Sequence, residues 1–183
     1  MERLDMVDIL MNKSQRNLQR TKLLVSTALL FAVALVLAVV EDSLSPLSIG
    51  VPGVKLGLSN IAVMYALFLL DKKQAYTIAV LKAFFVFATR GTTAGLLSFS
   101  GGVLSILVMS LLILIFKEKI SYLVLSIFGS VFHNVGQFIA ISILYTNIYL
   151  WVYLPVLLIA GVIAGIATST LLRFILPVFK RLA

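Results

Sequence analysis

The chain has 183 residues, of which 61% are hydrophobic and only 12% are charged, whereas soluble domains have about 45–50% apolar and about 25% charged residues. A small soluble domain cannot bury so much apolar surface, so the composition excludes that class and indicates one unit whose outer surface faces lipid. The net charge is +8, but the basic residues form no single patch, which argues against a nucleic-acid partner. The chain contains no cysteine, which excludes disulfides and thiolate metal sites.

The first 21 residues are polar and charged, and we interpret them as a cytoplasmic lead-in, because no small-residue cleavage site follows them. Apolar runs then recur along the chain, close to the roughly 20 residues that a helix needs to cross a bilayer. We predict an all-α polytopic membrane protein, a bundle of six transmembrane helices over 22–176 with a cytoplasmic tail at 177–183. The predicted spans are 22–40, 55–70, 74–90, 94–116, 120–145 and 150–176.

The basic residues are distributed unequally between the two sides of this predicted bundle. With the N-terminus inside, twelve of the fifteen lysines and arginines lie on the inner side, as the positive-inside rule requires, so both termini are predicted to be cytoplasmic. The other three are Lys55, Lys82 and Arg90. Lys82 lies about 12 Å below the outer end of the third span, at 1.5 Å per residue. A lysine at that depth costs roughly 2.5–3.5 kcal/mol on insertion scales.

Polar side chains interrupt the fifth span in the segment SVFHNVGQFIA. His133 and Gln137 are four residues apart and share one helix face, whereas Asn134 is turned about 100° away. If the spans form a bundle, these groups and others in the outer halves of spans two to four line one outward-facing cavity. Because donors outnumber carboxylates there, the cavity favours an anionic ligand. The predicted substrate-binding residues are Lys55, Asn60, Lys82, Arg90, Ser100, His133, Asn134 and Gln137.

The same residues also have a structural interpretation. His133, Asn134 and Gln137 are residue types that form hydrogen bonds between membrane helices. Lys82 could instead snorkel to the interface or pair with Glu41, and the serines of the fourth span could serve only for packing. Both interpretations are open at the level of sequence.

Three segments carry a resemblance to a known family: PGVKLGLSN at 52–60, LLSFSGG at 96–102 and HNVGQ at 133–137. Over residues 20–175 the chain resembles the bacterial Gx transporter family, also labelled heptaprenyl diphosphate synthase component I. That family is similar to the S components of energy-coupling factor transporters, six-helix proteins that capture a vitamin-like solute on the outer side. The resemblance implies a bacterial cytoplasmic membrane location, a transmembrane coupling subunit and cytoplasmic ATPases as partners. It also implies that Ala28 and Ala32, which match an AxxxA motif, dock the coupling subunit.

The synthase label of that family finds little support in the residues. Prenyl transfer uses carboxylates that hold Mg²⁺ on a diphosphate, but the chain has seven acidic residues and no DDxxD run. It also has no Walker lysine loop for ATP. We therefore predict a non-enzymatic subunit with no catalytic residues, no cofactor and no metal, which binds a small anionic or phosphorylated solute.

Two other functions compete with this one. The alternative is a non-catalytic membrane subunit of an isoprenoid-quinone synthesis or extracellular redox complex. A third function, a membrane enzyme that uses His133 as acid or base, is weakened because neither a carboxylate nor a nucleophile lies near this histidine in the sequence.

Overall fold

The computed structural model describes residues 2–44, 59–145 and 150–180, and within these ranges every regular element is a helix. The all-α class predicted from the sequence is therefore confirmed for these residues. A short 3₁₀ turn at Lys117–Lys119 joins the fourth helix to the fifth. The helices are α1 Glu2–Leu44, α2 Asn60–Leu69, α3 Lys72–Arg90, α4 Thr92–Phe116, α5 Tyr122–Leu144 and α6 Leu150–Lys180.

Four of the described helices contain a segment that is long and apolar enough to cross a membrane. Large apolar side chains cover their outer surface, for example Leu24, Phe174 and Ile143, which are 71%, 72% and 75% exposed. A continuous surface of this kind is unfavourable in water and suits hydrocarbon. The chain is therefore a multi-pass membrane protein. The four segments are Asn12–Glu41, Thr92–Phe116, Tyr122–Leu144 and Leu154–Phe174.

Helix α1 runs without a break through the predicted lead-in and the predicted first span. Its 43 residues correspond to about 65 Å at 1.5 Å per residue, which is about twice the roughly 30 Å thickness of the hydrocarbon layer. Leu30, Ala34 and Ala38 bury one face of its apolar part in the bundle. The side chains of 12–22 are all exposed, so this polar part of the helix extends beyond the packed core.

Helix α2 is a core helix and is shorter than the predicted span 55–70. It has ten residues, about 15 Å at the usual rise, and residues 55–58 lie outside the part of the chain that the structure describes. Every residue from 59 to 67 is buried, and the helix packs against α1, α3, α4 and α6. A helix that is apolar on all sides suits either lipid or the interior of a protein, and the burial of 59–67 places α2 in the interior.

Helix α3 packs against α2 and α4 and carries four basic residues, so it is not among the four long apolar segments. Gly91 separates it from α4 and has φ 89° and ψ 179°. Only glycine adopts such a backbone conformation readily, because it has no Cβ. The chain therefore reverses direction immediately after Arg90, which places that arginine at the corner between the two helices.

Helix α5 lies between α4 and α6, and two glycines bring it close to α4. A Cβ at Gly136 would lie 2.7 Å from the Ser100 carbonyl oxygen, and a Cβ at Gly101 would lie 2.8 Å from the His133 carbonyl oxygen. Neither distance is possible for a real side chain, so the two backbones approach this closely only because both residues are glycine. This crossing fixes the position of His133 in the bundle.

Candidate functional site

A cavity of about 160 Å³ lies inside the bundle, between α1, α3, α4 and α5 and beside the residue that precedes α2. Its lining includes apolar side chains from three helices, among them Ala38, Val86 and Leu97. The polar part of the lining combines cations, a carboxylate, an imidazole and hydrogen-bonding groups. These polar side chains are Glu41, Ser59, Lys82, Arg90, Ser98, His133 and Gln137.

Lys82 extends from the middle of α3 toward the beginning of α2. Its side chain is only 3% exposed, and its Nζ donates to Asn60 Oδ1 at 2.8 Å and to Ser59 Oγ at 3.1 Å. Hydrogen bonds from an ammonium group are stronger than neutral ones, and they compensate for the absence of water around it. The lysine that the sequence places inside the membrane therefore points into the bundle.

Ser59 connects Lys82 to a carboxylate on α1. Its hydroxyl donates to Glu41 Oε2 at 3.5 Å, and Glu41 is 4% exposed. A buried carboxylate is tolerated only when opposite charge or donors surround it. The structure therefore supports the sequence-based interpretation of Glu41 as a counter-charge in the region of Lys82, with Ser59 between the two side chains.

Arg90 approaches the same carboxylate from the corner between α3 and α4. Its Nη2 donates to the Ala38 carbonyl oxygen at 3.3 Å, less than one turn of α1 before Glu41. The Glu41 carboxylate attracts the Arg90 guanidinium electrostatically. Two cations from α3 and one carboxylate from α1 therefore line the same cavity.

His133 and Gln137 form the α5 side of the cavity. As their spacing predicts, they share one helix face, and Gln137 Nε2 lies 3.0 Å from His133 Nε2. The imidazole and the amide each offer both donor and acceptor atoms. The pair therefore adds hydrogen-bonding capacity to the cavity.

The structure brings together four of the eight predicted binding residues on the cavity surface: Lys82, Arg90, His133 and Gln137. Asn60 lies next to this group, because its Oδ1 accepts the Lys82 hydrogen bond. Among the described residues, no acceptor lies within hydrogen-bonding distance of its Nδ2, although the side chain is only 5% exposed.

The other predicted residues have different surroundings. Asn134 Nδ2 donates to the Leu157 carbonyl oxygen of α6 at 2.8 Å, which is the interhelical role that the structural interpretation assigned to it. The Ser100 hydroxyl donates to the Leu96 carbonyl oxygen of its own helix at 2.9 Å. Neither side chain lines the cavity. Lys55 lies outside the described residues.

Three further polar residues line the cavity but were not among the eight predicted binding residues: Glu41, Ser59 and Ser98. Glu41 was considered as a partner for Lys82, and the serines of the fourth span were considered both as part of the cavity and as packing residues. Ser59 stands immediately before Asn60, which was predicted, and its position next to a buried lysine follows from packing rather than from a motif. A buried lysine in a span requires an acceptor, and this requirement was the one sequence signal that pointed toward Glu41.

The predicted docking residues lie on a different surface. Ala28 and Ala32 are exposed on α1, on the side away from its buried residues Ala34 and Ala38. Leu29 and Val36, which flank them, are also exposed. The AxxxA pair therefore forms a flat strip on the lipid-facing surface of the bundle, where a second helix could approach closely.

Fold and cavity together define a multi-pass helical membrane protein that contains a charged cavity within its bundle. The chain belongs to the family described as heptaprenyl diphosphate synthase component I, whose model matches residues 30–175. This match confirms the family resemblance predicted from the three sequence segments. No similar protein was found among curated proteins, and none among solved structures.

Proposed function

We propose that the chain is a solute-capturing membrane subunit, similar to the S components of energy-coupling factor importers, and that it binds a small anionic solute in the cavity. The observation that carries this proposal is the presence of both Lys82 and Arg90 in the lining of an internal cavity. Fixed cations in a water-poor site attract anions strongly, because the low dielectric strengthens the interaction. Gln137, His133 and the Asn60 amide supply hydrogen bonds that select among anions.

The size of the cavity limits what it can enclose. Pockets for drug-sized ligands usually have about 300–1,000 Å³, whereas this cavity has about 160 Å³. It therefore encloses the charged head group of a solute. The rest of a larger solute extends out of this space or requires the helices to separate.

The distribution of charge supports an outward-facing cavity with both termini in the cytoplasm. Lys72 and Lys73 at the start of α3 and Lys117 and Lys119 after α4 lie at the end of the bundle opposite Arg90. The positive-inside rule assigns that basic end to the cytoplasm. In this orientation the six helices all cross or enter the bilayer, and the cavity lies in its outer half.

The exposed strip of Ala28 and Ala32 supports docking of a transmembrane coupling subunit, which would link the chain to cytoplasmic ATPases. The small side chains leave room for a partner helix, and lipid-facing positions without such a role are usually occupied by larger apolar residues. A partner of this kind would supply the energy for transport.

A second candidate function follows from the family description, which names a component of a synthase. In this alternative the chain is a non-catalytic membrane subunit of an isoprenoid-quinone synthesis or redox complex. The cavity would then bind the head group of an isoprenoid intermediate, and the exposed strip would hold a synthase instead of a coupling subunit.

Native mass spectrometry of the chain purified from its own membrane tests the proposal. We expect a bound anion together with a coupling subunit and ATPases. Co-purification of a prenyl synthase without ATPases would support the second candidate. A preparation with no anion and neither partner would contradict both.

Two variants separate the two sites in that experiment. Lys82→Met is expected to remove the bound anion and to retain the partner, whereas Ala28→Leu with Ala32→Leu is expected to remove the partner and to retain the anion. Val152→Leu, on the exposed surface of α6, is a control that enlarges a lipid-facing side chain on a different helix. If the double leucine variant still binds the partner, the docking surface lies elsewhere.

A further inference from the structure

We infer that Glu41 determines the charge of the anion that the cavity accepts, so that singly charged anions are favoured over doubly charged ones. This inference rests on the proposed anion-binding function. It assigns the solute to the carboxylates, sulfonates or phosphodiesters, and it disfavours phosphate monoesters and diphosphates.

The first step of the argument is the position of Glu41. It lines the cavity together with Lys82 and Arg90 and accepts a hydrogen bond from the Ser59 hydroxyl, which also accepts from Lys82. An anion that approaches the two cations therefore also approaches a fixed negative charge. Like charges close together in a poorly hydrated space repel strongly.

The second step is the charge balance of the described cavity. Among the acidic and basic side chains that line the cavity, Lys82 and Arg90 contribute two positive charges and Glu41 contributes one negative charge. The described groups therefore carry one net positive charge. A singly charged anion neutralises it, whereas a doubly charged anion leaves an uncompensated negative charge, which is unfavourable away from water.

The third step concerns the purpose of a buried carboxylate in such a place. If the two cations served only to bind an anion, an acidic residue beside them would weaken binding of every anion. A neutral residue at this position would increase the attraction of the cavity for anions in general. Glu41 compensates the buried charge of Lys82 through Ser59, and when an anion enters it weakens binding of doubly charged anions more than that of singly charged ones.

Sulfate and methanesulfonate test this inference, because both are tetrahedral and of similar size. Sulfate carries two negative charges, whereas methanesulfonate carries one. Isothermal titration calorimetry on the detergent-solubilised full chain would measure both affinities. We expect the wild-type chain to bind methanesulfonate more tightly than sulfate. Glu41→Gln keeps the shape of the side chain and an acceptor for Ser59. In this variant the ratio of the two affinities should shift toward sulfate by about tenfold or more, equivalent to about 1.4 kcal/mol.

Two further variants control the interpretation. Asp71→Asn removes the same charge at the opposite end of α3, where the Asp71 side chain accepts from the Lys72 backbone nitrogen, a contact that asparagine can retain. It should leave the ratio unchanged. Arg90→Gln removes one positive charge, and the Arg90 side chain is only partly buried. The affinity ratio should then shift further toward methanesulfonate. This test does not depend on whether Glu41→Gln folds.

The outcomes distinguish this inference from the proposed function. Anion binding that depends on Lys82 but shows an unchanged ratio in both Glu41→Gln and Arg90→Gln overturns the inference and leaves the proposed function intact. The same holds if wild-type protein prefers sulfate. Failure of the wild type and of every variant to bind either anion overturns both.

Discussion

The Lys82 ammonium group lies 2.8 Å from the Asn60 side-chain oxygen, so that a charge-assisted hydrogen bond joins the middle of α3 to the first residue of α2. The same ammonium group lines the cavity. Lys82 therefore has two consequences that can be measured separately, one for the stability of the bundle and one for anion binding.

Replacing Lys82 by methionine tests both consequences. Loss of the charge should lower methanesulfonate affinity by about tenfold or more. Loss of the hydrogen bonds to Asn60 and Ser59 should lower the free energy of unfolding by about 1–3 kcal/mol. Calorimetry and denaturation of the solubilised variant measure the two effects. Lys73→Met, at an exposed position of the same helix, is the control and should change neither. Full affinity in Lys82→Met contradicts the proposed site.

Asn134 provides a comparison in which stability alone should change. Its amide donates to the Leu157 carbonyl oxygen and does not line the cavity. Asn134→Leu should therefore lower the free energy of unfolding by about 1 kcal/mol while methanesulfonate affinity stays within error of the wild type. A clear loss of affinity would show that Asn134 contributes to the site, as the sequence predicted.

Gln137 lies on the cavity side of α5 and contacts His133 Nε2 at 3.0 Å. Leucine at this position fills a similar volume but provides neither a donor nor an acceptor. We expect Gln137→Leu to weaken methanesulfonate binding, because an unpaired buried group costs about 1–3 kcal/mol. Titration of Gln137→Glu, which keeps the acceptor and adds a negative charge, should show a still larger loss. If both variants bind as the wild type does, the pair is purely structural.

Two adjacent glycines of α4 should respond in opposite ways to alanine. A Cβ at Gly101 would lie 2.8 Å from the His133 carbonyl oxygen and 2.9 Å from its ring, whereas a Cβ at Gly102 would lie 3.4 Å from Ala79, an ordinary contact. Gly101→Ala should destabilise the bundle by about 1–3 kcal/mol through overpacking and weaken anion binding by displacing His133. Gly102→Ala should be neutral or stabilising by up to about 1 kcal/mol, because alanine favours helix. Thermal denaturation of the two variants measures the difference in stability. Equal changes in stability for Gly101→Ala and Gly102→Ala would contradict the close α4–α5 crossing.

The orientation of the bundle can be tested with single cysteines, since the chain has none of its own. Ser43, at the outer end of α1, and Lys73, near the start of α3, are both exposed. A membrane-impermeant maleimide added to intact cells should label Ser43→Cys and should label Lys73→Cys only after the membrane is opened. The reverse pattern would place the cavity in the inner half of the bilayer.

Much of the fold could be predicted from the sequence, because long apolar segments of a membrane protein have few alternatives to the α-helix. The observed α4 differs from the predicted span 94–116 by only two residues at its start, and α5 lies within the predicted span 120–145. The continuation of α1 through the lead-in as one unbroken helix was not predicted, because Leu4, Val7, Met11 and Leu18 give only a weak helical pattern among polar residues. The full burial of α2 was missed as well, since an apolar run looks the same in lipid and in a core.

The candidate site was predicted less completely, for a reason that His133 and Asn134 illustrate. Helical geometry separates adjacent side chains by about 100°, so only one of these two could face the cavity together with Gln137. Which of them does so depends on the rotation of α5 between its neighbours, and the glycine crossing with α4 sets that rotation. Ser59 and Glu41 enter the site through contacts between α1, α2 and α3, which no local pattern encodes.

The short buried helix α2 also has a consequence for how the chain enters the bilayer. About 15 Å of helix is too short to be recognised as a span on its own, and α3 alone would present Lys82 to hydrocarbon at a cost of roughly 2.5–3.5 kcal/mol. The two helices are separated only by Leu70 and Asp71, and Ser59 and Asn60 supply the acceptors that Lys82 needs. We therefore expect α2 and α3 to leave the insertion machinery as one helical hairpin, with these hydrogen bonds already formed during biogenesis.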